Sequence, residues 1–246
     1  VKSRKSLHKN IFVQHLSDSG YVRADTGNAS LLVDAAPLGP NYLPGHGHAD
    51  TLSFEMSIFG SRIFVNAGTS SYEKSALRLK ERGTAAHNTL EINGENSSEV
   101  WSSFRVAKRA NPIGLNITKS SEFVSITCGH DGYMKFAGKP KHQRSWRLSP
   151  SELLVEDTVI GSYKSAIAFF HIHPALEISS VNKSKWTLSI SGTNNRVHVE
   201  ILQGKVTMNT DVFSPKFGVR NPGKTLAVSS CSGGRTAVRV TWCTNE

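Results

Sequence analysis

The sequence predicts an all-β protein. Short runs rich in β-branched and aromatic residues recur from end to end, and Gly, Asn, Ser or Pro interrupts each of them. This pattern is typical of a β-sandwich or a β-barrel rather than of alternating strands and helices. The 246 residues suffice for one large β unit or two small domains. Because no fixed-period repeat, low-complexity linker or shift in composition divides the chain, we predict one unit over residues 1–246.

Two tight hairpin turns and one helix are predicted. Gly60-Ser61 joins TLSFEMSIF to RIFVNAG and is a Gly-first pair that suits a type II′ turn, and Asn93-Gly94 closes the run HNTLEI. The segment Tyr72–Glu81, YEKSALRLKE, predicts a helix because it is rich in helix formers and ends before Gly83. The remaining runs that predict strands are FRVAKRA, IGLNIT, EFVSITCG, QRSWRL, ELLVEDTVIG, AIAFFHIHP, KWTLSISG, RVHVEILQ, KVTMNTDVF, KTLAVSS and TAVRVTWC.

Composition narrows the classes of partner. The chain has 29 Lys and Arg against 19 Asp and Glu, a formal net charge of +10 at pH 7. This balance favours a polyanion: nucleic acid, anionic lipid or acidic polysaccharide. The basic residues are scattered and accompany no nucleic-acid-binding motif, so a solvated basic surface explains them equally well and we predict no nucleic-acid partner. No uninterrupted stretch of about 18 apolar residues occurs, so we also predict no membrane span.

The start of the chain and its cysteines add two expectations. The first residues, VKSRKSLHKN, contain neither a starting Met nor the apolar run of a signal peptide, so we expect a fragment or a mature piece of a longer protein. The three cysteines, Cys128, Cys231 and Cys243, are too few and too widely spaced for a disulfide scaffold or a cysteine-based zinc site.

The segment GHGHADTLSFEM places His46, His48 and Asp50 at alternate positions before an apolar run. On an extended strand these three side chains would project to the same side. Zinc accepts imidazole nitrogen and carboxylate oxygen, and acid/base catalysis needs a similar convergence. By itself a His-x-His pattern is weak evidence. The chain contains a second one, His171-Ile172-His173, which we interpret as structural.

Two residues downstream strengthen the case for a site. Asn66 lies at the end of a predicted strand, before Gly68, and His87 lies at the start of the next one. Neighbouring strands of a sheet are only about 5 Å apart. If hairpin-joined strands lie side by side, these two residues and the earlier histidines can converge on one point.

Three segments together resemble the β-domain of the heparinase II/III-like polysaccharide lyases. They are GHGHADTLSFEM, GSRIFVNAGTSSY and ERGTAAHNTLEINGENSSEVWSSFRVAKRA. The corresponding family patterns read roughly HGHAD-x-LSF, VDPGT-x-Y and R-x-TAAHNT, followed by a WG-x-F-like segment. Order and spacing agree over residues 45–110, and the match is looser from residue 111 onward.

The resemblance implies a fold and a reaction. Family members combine an N-terminal α/α toroid with a C-terminal antiparallel β-sandwich of the supersandwich type, and the active cleft lies between them. This sequence covers only the sandwich, so the missing helical domain is an implied partner, and we expect the chain alone to be inactive or nearly so. The family cleaves uronic-acid glycosides by β-elimination, which implies an anionic polysaccharide substrate and a periplasmic or secreted bacterial protein.

The resemblance also implies residue roles. His46 matches the catalytic histidine of the sandwich and would act as a base or neutralise charge. His48 and His87 match positions that bind a structural zinc ion in some relatives. Asn66 falls where those relatives have a liganding Asp, and because a neutral amide is a poorer ligand than a carboxylate, the implied zinc site is weakened.

Other residues near the motifs have two interpretations each. Arg82 could hold a substrate carboxylate or sulfate, or be an ordinary surface arginine. Asp50 could orient a histidine through a hydrogen bond, or cap a turn. Trp101 and Phe104 could stack on sugar rings, although aromatic residues of a sandwich more often lie in the core. Tyr72 and Tyr133 are candidates for the catalytic tyrosine by residue type alone.

Two alternatives to a lyase remain at this stage. A uronate epimerase uses the same abstraction of the C5 proton but returns the proton to the other face of the sugar. A non-catalytic sandwich could hold an anionic glycan with its positive charge and aromatic side chains, but it would not need the convergence of GHGHAD with HNT.

Overall fold

The computed structural model describes residues 11–40, 42–231 and 233–243. It confirms the all-β prediction, with 19 strands, one α-helix and one 3-10 turn in the described ranges. The strands are β1 Phe12–Leu16, β2 Tyr21–Asp25, β3 Ala29–Asp34, β4 Phe54–Ile58, β5 Ser61–Phe64, β6 Leu90–Ile92, β7 Val100–Trp101, β8 Arg105–Val106, β9 Pro112–Lys119, β10 Val124–His130, β11 Lys141–Leu148, β12 Glu152–Ile160, β13 Ala166–Ile172, β14 Leu176–Asn182, β15 Lys185–Ile190, β16 Arg196–Gln203, β17 Lys205–Phe213, β18 Asn221–Ser229 and β19 Arg235–Cys243.

These strands form two large antiparallel sheets and one small ribbon. The first sheet has the order β1-β2-β3-β4-β5-β13-β18-β17, with β6 also paired to β13. The second sheet has the order β14-β15-β16-β19-β12-β11-β10-β9, and β7 pairs with β8 to form the ribbon. Buried side chains of both large sheets belong to one continuous apolar core. The fold is therefore a sandwich, as predicted.

Alternation along the strands builds this core. Buried residues alternate with partly buried or exposed ones through β4, β10 and β12, as expected when one face of each strand packs against the opposite sheet. Phe54, Phe64 and Phe170 of the first sheet contact one another edge to face, with ring centroids 5.8 to 6.0 Å apart. From the second sheet, Trp146 is fully buried.

Both predicted hairpin turns are present, one of them shifted by a residue. Ile58 pairs with Ser61, so the first turn is centred on Phe59-Gly60 rather than on Gly60-Ser61. Phe59 and Gly60 have φ values of 52° and 75°. Positive φ at both central residues is the mark of a type I′ turn, so the predicted type II′ is wrong. Asn93 and Gly94 also have positive φ, 58° and 71°.

The helix is shorter than predicted. Helix α1 spans Ala76–Arg82 and not Tyr72–Glu81, because the Ser75 side chain caps its N-terminus by accepting the Arg78 backbone N–H at 3.2 Å. A 3-10 turn at Thr84–Ala86, which the sequence did not predict, follows it and leads to His87. No helix of the described residues is long and apolar enough to cross a membrane.

The segment that precedes β4 is a loop and not the predicted strand. Residues 45–53 form turns and bends, and Leu52 has a positive φ of 66°. Side chains from the 3-10 turn and from the segment between β6 and β7 fix this loop: Thr84 donates to the Ala49 carbonyl at 2.7 Å, and Ser97 donates to the same carbonyl at 3.2 Å. Without an extended backbone, alternate side chains no longer share one side.

Candidate functional site

Two histidines from different segments face each other at the site. His48 comes from the loop before β4, and His87 follows the 3-10 turn. The Nδ1 atom of His48 lies 3.2 Å from the Nε2 atom of His87. Asp50 joins them, since one potential metal-binding atom from each of the three residues lies within 4.8 Å of the other two. The structure thus brings together His48 and His87, both predicted as metal ligands, and Asp50, which was predicted to orient a histidine or to cap a turn.

Asn66 has other contacts in the structure. Its Oδ1 atom accepts the backbone N–H of Asn88 at 3.4 Å, and its own N–H donates to Glu55 at 3.4 Å. In the part of the chain that the structure describes, Asp50 is the acidic residue that groups with His48 and His87. Residue 66 is an asparagine and supplies no carboxylate there.

Burial keeps both histidines neutral. It lowers the pKa of His48 to about 3, with a further contribution from the charge of Arg78, and it lowers the pKa of His87 well below the usual value. Burial raises the pKa of Asp50 to about 7. At neutral pH the two imidazoles are uncharged, and the carboxyl group is balanced between its two forms.

Arg78 sets the direction of the hydrogen bonds in the pair. Its side chain is only 1% exposed, and its Nη1 atom lies 3.3 Å from the Nε2 atom of His48. A guanidinium group can only donate, so Nε2 of His48 must accept and the ring proton must lie on Nδ1. That proton is donated to Nε2 of His87. The proton of His87 is then on its Nδ1 atom, which is buried and makes no well-aligned hydrogen bond in the described structure, with only the Glu81 backbone near it.

The donor types at the pair suit zinc, but their hydrogen-bond polarity does not. Two imidazoles and a carboxylate are ordinary zinc ligands. A ligating histidine, however, normally donates its other ring N–H to a carboxylate or carbonyl. The other nitrogen of His48 faces Arg78, which is itself a donor. Zinc on Nδ1 would place a ring N–H against the guanidinium, so the residues as arranged do not fit the ion.

His46 lies apart from the pair, at the surface. Its exposed ring packs edge-on against Tyr72 and Phe104, with centroids 5.3 and 5.5 Å away. Tyr72 also contacts Phe217 at 5.2 Å, and the Arg78 guanidinium lies 5.1 Å from the centre of the Tyr72 ring. Arg78 therefore contacts both the His48–His87 pair and the aromatic group around His46.

The aromatic residues that follow are also at the surface. Trp101 is 55% exposed and Phe104 is 44% exposed. The interpretation of these two side chains as core residues is therefore wrong. Tyr133, in contrast, is fully buried and donates its hydroxyl to the Leu90 carbonyl at 2.9 Å. Of the two tyrosines considered, only Tyr72 lies beside His46.

A cavity of about 440 Å³ borders the site. Burial raises the pKa of Asp34 well above its usual range, and the Asp34 charge together with burial raises the pKa of Tyr21, so the Tyr21 phenol stays protonated. The cavity thus offers imidazole, carboxyl and phenol groups to a polar ligand. Its lining residues are Ser19, Tyr21, Asp34, Ala36, Pro37, Leu38, Gly39, Pro40, Leu43, His46, Gly47, His48 and Asp50.

A protein-family model described as "Heparinase II/III-like, C-terminal" matches residues 12–242. The chain belongs to this family. Among solved structures it is similar to the heparan sulfate lyase HepC from Pedobacter heparinus, with a TM-score of 0.76 and 16% identity over 95% of this chain. It is also similar to a heparinase III, with a TM-score of 0.71 and 16% identity over 97% of this chain. No curated protein matches the chain.

The lengths of these proteins differ greatly. The chain spans about 36% of the HepC lyase and 37% of the heparinase III. At 16% identity the likeness to these structures shows the fold alone, so the residue roles in this heparinase II/III-like domain must be argued from its own geometry.

Arg82 lies in the interior of the domain and not at its surface. Its side chain is fully buried, and it donates to the carbonyls of Gly47 at 2.9 and 3.1 Å, Ser102 at 3.1 Å and Arg105 at 3.3 Å. The prediction of a substrate-binding or surface arginine is therefore replaced by a structural role. Arg82 fixes the loop that carries His46 and His48.

A second polar cluster, which the sequence analysis did not identify, lies beneath the site. Arg144 forms a two-pronged ion pair with Asp157, at 2.6 and 3.0 Å, and both side chains are fully buried. A third guanidinium contact reaches the carbonyl of Leu52 at 3.1 Å, and the same Nη1 atom donates to the carbonyl of Asn88. Arg144 therefore ties the loop of His48 and the segment after His87 to the second sheet.

A signal for this cluster exists in the sequence. On β11, Arg144 has the same phase as Trp146, and on β12 Asp157 has the same phase as Val155. Charged residues in the apolar phase of two strands indicate a buried ion pair, because such charges are costly unless paired.

Proposed function

We propose that this chain is the sandwich part of a lyase that cleaves a uronate-containing acidic polysaccharide by β-elimination. Membership of the heparinase II/III-like family supports the proposal, and the net charge of +10 suits an anionic polymer. The observation that carries it is the exposed pair of His46 and Tyr72, with rings 5.3 Å apart, beside a cavity lined with carboxyl groups.

The site contains the groups that this reaction needs. A base removes the C5 proton of the uronate, the electrons form the C4–C5 double bond, and the C4–O4 bond breaks while O4 gains a proton. Imidazole and phenol are suited to both proton transfers, and His46 and Tyr72 are the accessible examples here. Asp50, with its pKa raised to about 7, can carry the proton needed to donate a hydrogen bond to the substrate carboxylate.

We also propose a partner domain and a cellular location for this chain. The chain spans about 36% of the similar HepC lyase, so we propose that a helical domain completes the cleft and that the chain alone is inactive or nearly so. We place the protein in the bacterial periplasm or outside the cell, where large polysaccharides are met.

A chimera tests the function directly. This chain replaces the matching part of the HepC lyase, and heparan sulfate and alginate are supplied as substrates. The formation of an unsaturated uronate is followed by its ultraviolet absorbance. We expect activity that His46→Ala lowers by at least about 100-fold, the usual scale for a general acid or base. The matched control is His15→Ala, an exposed histidine on β1.

Other outcomes point to other functions. An exchange of the C5 proton without chain cleavage would support an epimerase. Turnover that survives in His46→Ala, together with weaker retention of the isolated chain on a heparan sulfate column, would support a glycan-binding role for the exposed aromatic residues around His46.

A further inference from the structure

We propose that Arg78 replaces a metal ion at the His48–His87 pair, holding the two rings as a metal-free hydrogen-bonded unit and excluding zinc. This inference does not rest on the proposed lyase activity, because it concerns only metal binding and the position of ring protons.

The contact between Arg78 and His48 has a fixed hydrogen-bond polarity. The Arg78 Nη1 atom lies 3.3 Å from Nε2 of His48, and Nδ1 of His48 lies 3.2 Å from Nε2 of His87. Because the Arg78 guanidinium donates to Nε2 of His48, the ring proton of His48 lies on Nδ1, and zinc would have to displace that proton. A zinc ion on Nδ1 would move that proton to Nε2, where it would meet another donor.

Several contacts fix the Arg78 side chain in place. Its Nε atom donates to the Ser103 carbonyl at 3.3 Å, and its Nη1 atom also lies 3.3 Å from the Thr69 hydroxyl. Its backbone N–H is bound by Ser75 at the start of α1. Its guanidinium covers the Tyr72 ring at 5.1 Å. A side chain held from several directions and 1% exposed cannot easily withdraw to admit an ion.

A positive charge already lies beside the two histidines. The Arg78 guanidinium is 3.3 Å from His48, and position 66 carries a neutral amide whose oxygen accepts a backbone N–H. A zinc ion at the pair would therefore be repelled by a neighbouring cation, and Asn66 would add no negative charge to offset that repulsion.

Zinc titration of three proteins tests the inference. They are the unmodified chain, Arg78→Lys, which keeps a donor-only cation, and Arg78→Met, which has similar length but no donor. We expect Arg78→Met to bind zinc at least about tenfold more tightly than the other two, the usual scale for a group that orients a ligand. The added affinity should disappear in Arg78→Met/His87→Ala. Circular dichroism establishes that each variant is folded.

A second readout reports the ring proton itself. Nitrogen NMR of the unmodified chain should show His48 protonated on Nδ1, and this signal stands even if Arg78→Met fails to fold. Protonation on Nε2 would overturn the inference. So would tight zinc binding by the unmodified chain that is lost in His48→Ala and His87→Ala, or equal zinc affinity in all three proteins.

Discussion

Two histidine pairs of this chain have the same geometry and different surroundings. In the site, His48 Nδ1 lies 3.2 Å from His87 Nε2, and in the core, His142 Nδ1 lies 3.2 Å from His130 Nε2. Burial lowers the pKa of all four rings. The pairs differ in how their hydrogen bonds begin and end.

The core pair is complete. The Gly132 N–H donates to Nδ1 of His130 at 3.1 Å, His130 then donates to His142, and Nε2 of His142 donates to Asp157 at 2.6 Å. The same carboxylate accepts from Arg144 and from the Thr236 hydroxyl. Every ring nitrogen has a partner of the correct polarity, so this pair serves stability.

The site pair is open at one end. It begins at Arg78 and finishes at Nδ1 of His87, which makes no well-aligned hydrogen bond and has only the Glu81 backbone near it in the described structure. A buried donor that is poorly satisfied costs up to about 1–3 kcal/mol. The two histidine pairs are therefore distinguished by their last acceptor. A carboxylate closes the core pair, whereas the site pair ends on a weaker contact with the backbone.

The largest loss of stability should follow from removing Arg144, which pairs with the carboxylate at the end of the core histidine pair. Arg144→Met leaves Asp157 as a buried charge without its main partner and frees the carbonyls of Leu52 and Asn88. We expect the free energy of unfolding to fall by about 3–5 kcal/mol, measured by urea denaturation. The site should also loosen, because both carbonyls belong to its supporting segments.

The control for this change lies on the same strand. Arg147 is exposed and stacks on Phe123, with its guanidinium 4.1 Å from the ring centre. Arg147→Met should cost less than about 1 kcal/mol. Similar losses in the two variants would show that the buried cluster does not contribute more than a surface contact.

The next largest effect is a loss of stability at low pH. In the unfolded chain histidines take up protons at about pH 6.5, their ordinary pKa. In the folded chain His130 and His142 do not take up protons there, because burial lowers their pKa. The contribution of each ring to the free energy of unfolding is therefore complete above about pH 6.5 and falls as the pH drops, by up to about 1.4 kcal/mol per pH unit. His142→Asn should make this fall shallower by about that amount.

The measurement is urea denaturation at several pH values between about 7 and 5, the window set by the unfolded histidine pKa. Asp50 acts in the opposite direction: its pKa is raised to about 7, so its contribution is present at low pH and is lost as the pH rises through 7. It is unchanged in both proteins and cancels in their comparison. An equal change in the exposed His15→Asn would contradict the role of burial.

The sequence allowed the fold and part of the site to be predicted. Period-two alternation and glycine turns were sufficient for the sandwich, because they reflect local geometry and one-sided burial. The convergence of His48 with His87 was also predicted correctly. The geometry expected for it was wrong, because His48 lies on a loop and not on a strand beside the one that carries His87. The separate prediction that His46, His48 and Asp50 project from one strand face is wrong for the same reason.

Other features depended on contacts distant in sequence. Arg82 differs little from a surface arginine in its local pattern, and only the folded chain shows its guanidinium enclosed by the carbonyls of Gly47, Ser102 and Arg105. In the same way, the Arg78 contact that sets the proton position on His48 joins residues 30 positions apart. Hydrogen-bond direction is a property of the assembled site and leaves no periodic signal.

The smallest loss of stability is expected for Tyr133→Phe, which tests whether the two histidine pairs are independent of each other. Tyr133 packs against His130, with ring centroids 5.3 Å apart, and its hydroxyl donates to the Leu90 carbonyl at 2.9 Å. Tyr133→Phe removes that hydrogen bond and keeps the ring, so the free energy of unfolding should fall by only about 0.5–1.5 kcal/mol. The nitrogen NMR signal of His48 should not change, because Arg78 sets its proton position independently of the core pair. A shifted His48 signal would mean that the pairs are coupled through the strand that follows His87.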